Sequence, residues 1–449
     1  METAIDFSDP AIQSNPYPTY QRLRDETPVV WNEPTNSWLV SRYDDIVALL
    51  NDSRISSARV DATFRVLPED VQQELEPLRH VLSQRMLLTD PPTHTRLKNL
   101  VMPSFAARTS ERRRLRIQEI CDGFIDRMAS DGTFDVMRDF ATPLPGWVTG
   151  DVLGVPVERQ QQFSDWSHDQ VRIYDRPGTV HDRVAVMHQG QASMLAMKGY
   201  LEEIIEQRRS EPGDDVISIL VRAEEAGDKL TNDEMVVMVV AILVGGNNST
   251  AHLIGNAILT LLRHPDALTR LRDDPTLIRP AIEEIMRFES PVQATSRVAT
   301  EPIELSGQTI EPGSNVHVLL ASGNRDATQF SEPDTFVIDR SPNRHLTFAH
   351  GPHYCLGTSL ARTIAQTAVL TLITRFPDLK LVTDRPDWND GFSFRSLKTL
   401  PLTLMIGNAS QSRTCHEEPH PFPCHPERSA AESRDLSGSS HTVLVGVKA

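Results

Sequence analysis

A chain of 449 residues with a formal net charge of −16 is long enough for two or three compact cores and too acidic for nucleic acid as its main partner. Its composition, 39% apolar and 24% charged, is that of an ordinary soluble globular protein. The opening "METAIDFSDPAIQ" has no basic run ahead of an apolar core, and no stretch reaches the roughly 18 apolar residues of a membrane span. Cys121, Cys355, Cys415 and Cys424 are too scattered for a disulfide framework, so a reducing cytoplasmic setting without a membrane anchor is expected.

In chain order, a short helix is expected around Tyr20 to Arg24. "VVW" and "SWLV" on either side of the turn-rich "NEPTN" predict a hairpin. Residues 67–89 read as helical. In "DPPTHTRLKNLV", residues 90–101, Asp90 is placed to cap a helix whose first turn accommodates Pro91 and Pro92. His94 and Lys98 then fall on one face. "RTSERRRLR" gathers Arg108, Arg112, Arg113, Arg114 and Arg116, either a solvated helix face or a basic patch for an acidic partner.

Helical patterns fill residues 110–275. Thr231 and Glu234 form a capping box, and Pro265 stops the helix they begin at about His264. At ~1.5 Å per residue this helix is roughly 48 Å long. It is apolar on most sides and should be buried. Its middle nevertheless reads Gly245-Gly246-Asn247-Asn248-Ser249-Thr250. Each glycine costs about 1 kcal/mol relative to alanine in a helix interior. Close packing against a neighbouring helix accounts for the glycines but not for the polar residues after them. Ser249, four residues after Gly245, can bond the Gly245 carbonyl and open the helix.

Glu284 and Arg287 in "EEIMRF" share a helical face and, taken alone, read as a surface ion pair of little worth. Residues 297–347 are mixed, with strand signals "IEL" and "NVHVLL" and a Pro312-Gly313 turn. Residues 1–407 are expected to form a single domain, mainly α with small β-sheets. Residues 408–449, rich in Pro, Ser, His and Glu, are expected to be a disordered tail. Cys415, His416, His420, Cys424 and His425 match no compact zinc spacing there.

The sharpest signal is "FAHGPHYCLGTSLAR" at residues 348–362. Cys355 stands just before a helix, whose positive end and unpaired N–H groups favour thiolate. Gly351 and Gly357 permit unusual dihedrals and close approach to something flat. One thiolate is a poor structural zinc site, and His353 is badly placed as a protease base. A lone cysteine is otherwise a small buried hydrophobe. A single axial thiolate suits haem iron.

The run Phe348-x-x-Gly351-x-x-x-Cys355-x-Gly357 resembles the haem-binding signature of the cytochromes P-450, the haem-thiolate monooxygenases, and the resemblance extends over about residues 5–406. It implies the P-450 fold, with haem b between the long distal helix and the proximal Cys355 loop and helix. Cys355 would ligate the iron, with Phe348, Gly351 and Gly357 shaping its loop. His94, Lys98, Arg297 and His353 would meet the propionates, Lys98 standing where the family often has arginine. Glu284 and Arg287 would meet Arg340, in "FVIDRSPNRHLTF", beneath the haem. Gly245 and Gly246 would make room for dioxygen where the distal helix is distorted. Ser249 takes the place of the family's first threonine and Asn248 that of its acid, and both would order water and proton delivery. By family position alone, Ala241, Val244, Val292, Ala294, Thr295 and Phe394 would face an apolar substrate. Ile364 stands where the family commonly has glutamate.

The implied reaction is insertion of one oxygen atom from dioxygen into an apolar small molecule, with electrons from a ferredoxin-type partner and its reductase. Because the Asn248 amide cannot titrate, peroxide use or a non-redox rearrangement is an alternative. A non-enzymatic haem-based ligand carrier or sensor is another, though a sensor usually needs an output domain and the tail does not read as one.

Overall fold

The computed structural model describes residues 4–404 apart from residue 66 and segments 129–132, 174–179 and 226–229. The chain divides into residues 1–411 and 412–449; the expected tail and its Cys415–His425 cluster lie outside the described residues.

The hairpin forms as expected. Val29–Asn32 pairs antiparallel with Ser37–Val40, in register Val30 to Leu39, across a short turn closed by left-handed Asn36. Ser37–Val40 then pairs in parallel with Asn315–Val318. Thr295–Ala299 and Ile55–Ser56 complete a five-stranded sheet. Val40, Ile46, Leu50, Val316 and Val318 pack beneath it. A three-stranded and a two-stranded sheet are smaller.

Helices make up the rest. Asn232–Arg263 begins at the expected capping box: Glu234 N–H donates to the Thr231 hydroxyl at 3.1 Å, and the Glu234 carboxylate accepts from Thr231 N–H at 2.9 Å. It runs 32 residues without a break, so the polar centre does not interrupt its hydrogen-bonded turns as the expected distortion would have done. Around it pack helices Pro143–Leu153, Gln160–Arg172, Val180–Ser210 and Thr358–Arg375. Among the described residues it is the one helix with the length and mean hydropathy, 1.5 over an 18-residue window, of a membrane span. That window is 61% buried against the protein, as a core helix is.

The helix start at residue 90 differs from expectation. Thr93–Val101 has no side-chain cap. Asp90 instead accepts from the Ser56 hydroxyl at 2.5 Å and the Ser57 N–H at 2.8 Å, tying the helix entrance to the sheet edge. A carboxylate that finds two donors across the fold does not serve a cap.

Candidate active site

The middle of the long helix is where burial fails. Ala241, Gly245, Asn248, Ser249 and His252 keep accessible surface while most of their neighbours are buried. Their three- and four-residue spacing places them on one stripe. Gly245 is exposed, and a Cβ built there would meet nothing within 4 Å. The stripe therefore fronts open space inside a packed bundle. The Ser249 hydroxyl donates to the Gly245 carbonyl at 3.2 Å, as its position suggested.

The two glycines have different reasons. A Cβ on Gly246 would lie 3.0 Å from the Thr149 hydroxyl of helix Pro143–Leu153, so Gly246 serves close helix packing rather than the opening. Asn247 also turns to that helix: its side chain is buried, and its Oδ1 would lie 2.9 Å from a Cβ on Gly146. Asn248, not Asn247, is the amide on the open stripe.

Cys355 closes a short loop by donating its N–H to the Phe348 carbonyl at 3.0 Å. Gly351 has φ 72°, and a Cβ there would overlap the Leu50 carbonyl oxygen. Gly357, by contrast, has an ordinary φ of −80° and simply precedes helix Thr358–Arg375, so its expected unusual dihedral is absent. The Thr358 hydroxyl donates to the Cys355 carbonyl at 2.7 Å. Burial raises the Cys355 thiol pKa, while the Gly357 N–H, the Thr358 hydroxyl and the charges of Lys98 and Arg362 pull it down. Cys355 is nonetheless exposed by surface area. Both facts hold if its accessible surface lines a recess rather than the outer envelope. Phe348 lies under the Arg362 guanidinium, 4.8 Å from ring centroid to carbon.

Basic side chains converge beside this loop. The His94 and His353 rings lie 4.0 Å apart. His94 is buried, and its Nδ1 has no hydrogen-bond partner. Burial, then His94 and Arg297, push His353 down to about 3. Arg297 is buried and pushed down to about 9 by desolvation and Arg59, with Asp90 opposing. It donates to the Thr295 hydroxyl at 2.9 Å and the Ser296 carbonyl at 2.8 Å. Lys98 does not stand free: its Nζ donates to the carbonyls of Pro352 at 2.7 Å and Tyr354 at 2.9 Å, bracing the Cys355 loop. One carboxylate, Asp90, among so many basic groups leaves the cluster short of negative charge.

The ion pair read as a surface feature is fully buried. Arg287 donates twice to Glu284, at 2.8 and 2.7 Å, and Arg340 donates to both Glu284 oxygens at 3.0 and 3.1 Å. Glu284 also accepts from Val337 N–H at 3.0 Å, and Arg287 reaches the carbonyls of Asn324, Pro333 and Thr335. Every strong donor and acceptor is used, which a buried ion pair requires.

Of the residues expected to face a substrate, Val292 and Phe394 sit opposite each other in an isolated β-bridge, and Ala241 lies on the open stripe. Val244, three residues after Ala241 and four before Asn248, shares that face but is buried. Thr295 is engaged by Arg297. Ala294, just ahead of strand Thr295–Ala299, is buried in a core cluster with Tyr20, Leu39 and Leu319. His252, which the sequence reading passed over, packs its ring 5.8 Å from Phe394. Its signal was its place four residues after Asn248.

An accessible thiol, adjoining basic side chains short of anions, and an unbroken helix whose exposed glycine faces open space suit an iron macrocycle with acidic side groups. The comparisons agree. The Cytochrome P-450 family profile matches residues 15–401. The chain is 38% identical over 395 residues to a biotin-biosynthesis cytochrome P-450 of Bacillus subtilis (strain 168), covering 87% of this chain and 96% of that one. It is 39% identical over 413 residues to the cytochrome P-450 monooxygenase PikC of Streptomyces venezuelae, covering 89% and 94%. The crystal structure of P450BioI in complex with hexadec-9Z-enoic acid ligated acyl carrier protein matches at a TM-score of 0.81 and 36% identity, covering 88% of this chain and all of that one. This chain belongs to the cytochrome P-450 family, monooxygenases that carry haem b on a cysteine thiolate.

Proposed function

We propose that the chain holds haem b with Cys355 as its axial ligand and the Gly245–Ser249 stripe on the opposite side, and oxidises an apolar small molecule with dioxygen. His94, Arg297 and His353 answer the haem carboxylates; Lys98 contributes charge while bracing the loop. Glu284, Arg287 and Arg340 hold the chain behind the Cys355 loop. Thiolate-bound haem supplies the oxygen chemistry. The observation that carries this reading is the Ser249–Gly245 bond beside an exposed glycine in an otherwise buried helix. There the hydroxyl and the Asn248 amide can hold water and pass a proton toward the open space.

Electrons come from a separate ferredoxin-type donor. Arg108 and Arg112 are exposed for such a partner. The rest of the expected patch is occupied: Arg113 donates to the Ser104 carbonyl, Arg114 pairs with Glu111, and Arg116 pairs with Glu119 and Asp151. Arg114 also reaches Thr367 and Gln366, so the patch adjoins the helix that follows Cys355.

Asn248 supports a second reading, in which peroxide replaces dioxygen and reductase or the reaction needs no electrons. Turnover with dioxygen, ferredoxin and reductase is expected to give product, and Ser249→Ala to raise peroxide release several-fold. Asn248→Asp, nearly isosteric, should change the ratio of electrons used to product. Product formed with peroxide alone, or without any electron donor, selects the second reading. If both variants match the native enzyme in rate, coupling and peroxide release, the stripe is not the proton route.

A further inference from the structure

Resting on that reading of the pocket, we propose that His252 is the residue that selects substrates bearing a neutral oxygen acceptor, above all a carbonyl, by donating a hydrogen bond from its Nε2–H. The apolar class named above then narrows to hydrocarbon skeletons that carry one such oxygen.

His252 lies on the accessible stripe of helix Asn232–Arg263, three residues after Ser249 and four after Asn248. That spacing sets it one helical turn from the point where oxygen chemistry is placed, on the same face. Its Nδ1 is sealed from solvent and has no hydrogen-bond partner. Nε2 is the ring nitrogen that is not sealed. The walls beside it are apolar: Phe394 edge-on at 5.8 Å, and Val292 bridged to Phe394.

The tautomer follows from satisfaction of polar atoms. A neutral imidazole carries one N–H and one bare lone pair. A buried N–H without an acceptor is rarer than an under-satisfied lone pair. With no acceptor at Nδ1, the proton belongs on Nε2, where it faces open space. Burial, reinforced by the charge of His168, pushes the His252 pKa down to about 3, so the ring is neutral near pH 7. His168, from helix Gln160–Arg172, is flanked by Arg172, Asp169 and Asp165. A neutral donor in apolar surroundings recognises a carbonyl oxygen and gives a carboxylate no charge partner.

The test uses the full-length haem-loaded protein and binding rather than turnover. Cyclododecanone and cyclododecane are titrated against the ferric protein, and the spin-state change gives each dissociation constant. The native protein should prefer the ketone by roughly 2- to 10-fold, the span of one neutral hydrogen bond. His252→Phe should abolish that preference, and His252→Gln, which keeps an N–H donor, should retain most of it. In the diamagnetic carbon-monoxide-bound ferrous form, nitrogen-labelled histidine spectra should show the Nε2-protonated neutral ring for the resonance lost in His252→Gln. Equal affinities in the native protein, failure of both probes to bind, an unchanged preference in His252→Phe, or an Nδ1-protonated ring each overturns the inference. If any of these occurs while the reduced carbon-monoxide complex keeps its thiolate absorption, the haem reading survives and the His252 assignment alone falls.

Discussion

Gly351 shows how narrowly single residues set the proximal loop. At φ 72°, with the Leu50 carbonyl oxygen where a Cβ would stand, it leaves no room for a side chain. Gly351→Ala is expected to cost more than about 1 kcal/mol, since alanine is placed at positive φ and must also displace backbone. Lower thermal stability and lower haem content should both appear; native values for both contradict the account. Single residues were legible in the sequence where their partners are near in the chain. Ser249 and Gly245 are four apart, and the Cys355 loop is one continuous motif. They were illegible where the partner is distant. Asp90 forgoes a helix cap for Ser56 and Ser57, Ala294 packs into a core cluster with Tyr20 and Leu319, and Gly246 answers to Thr149 on another helix. His252 needed the whole stripe to be seen, because its place there shows only once burial and helical spacing are read together.

At the scale of elements, helix Ile278–Phe288 joins the core to the helix after Cys355. Its Glu283 accepts two bonds from Arg362, each 2.7 Å, and one from His345 at 3.2 Å. Burial alone would raise the Glu283 pKa, but the bonds and charges of His345 and Arg362 outweigh it and hold it at about 2, below the ordinary 4.5. The unfolded chain therefore binds the proton first as pH falls. The pair's stabilisation is present above about pH 4.5 and is lost as pH drops toward 2. Glu283→Gln should lower the thermal midpoint at pH 6 and flatten its fall between pH 4.5 and 3. A variant with the native midpoint at pH 6 and the native slope would show that the pair contributes nothing. Elements with local signals were readable in advance: the capping box at Thr231, the hairpin at residues 29–40, the strands at residues 303 and 315. The depth of Glu284 was not, because its second arginine arrives some fifty residues later and only the fold joins them.

For the whole molecule, the proposed approach of an electron donor is a question of charge. The net charge is −16, yet Arg108 and Arg112 stand exposed near the helix that follows Cys355. Steering by such a patch is screened within about 8 Å at physiological salt. Reduction by an acidic ferredoxin should slow as salt rises, and Arg112→Glu should slow association several-fold at low salt while leaving ligand binding unchanged. Rates indifferent to both would assign the patch to solvation. The central claim, that one thiolate among the described residues makes this fold an oxygenase, is tested most directly by the absorption of the reduced, carbon-monoxide-bound protein. Cys355 is accessible, while Cys121 is buried and its thiol is pushed far up by burial. The native protein and Cys121→Ala should both show the red-shifted band of thiolate ligation, and Cys355→Ala should lose it. A Cys355→Ala protein that keeps the band, or a native protein that never shows it, would contradict the account.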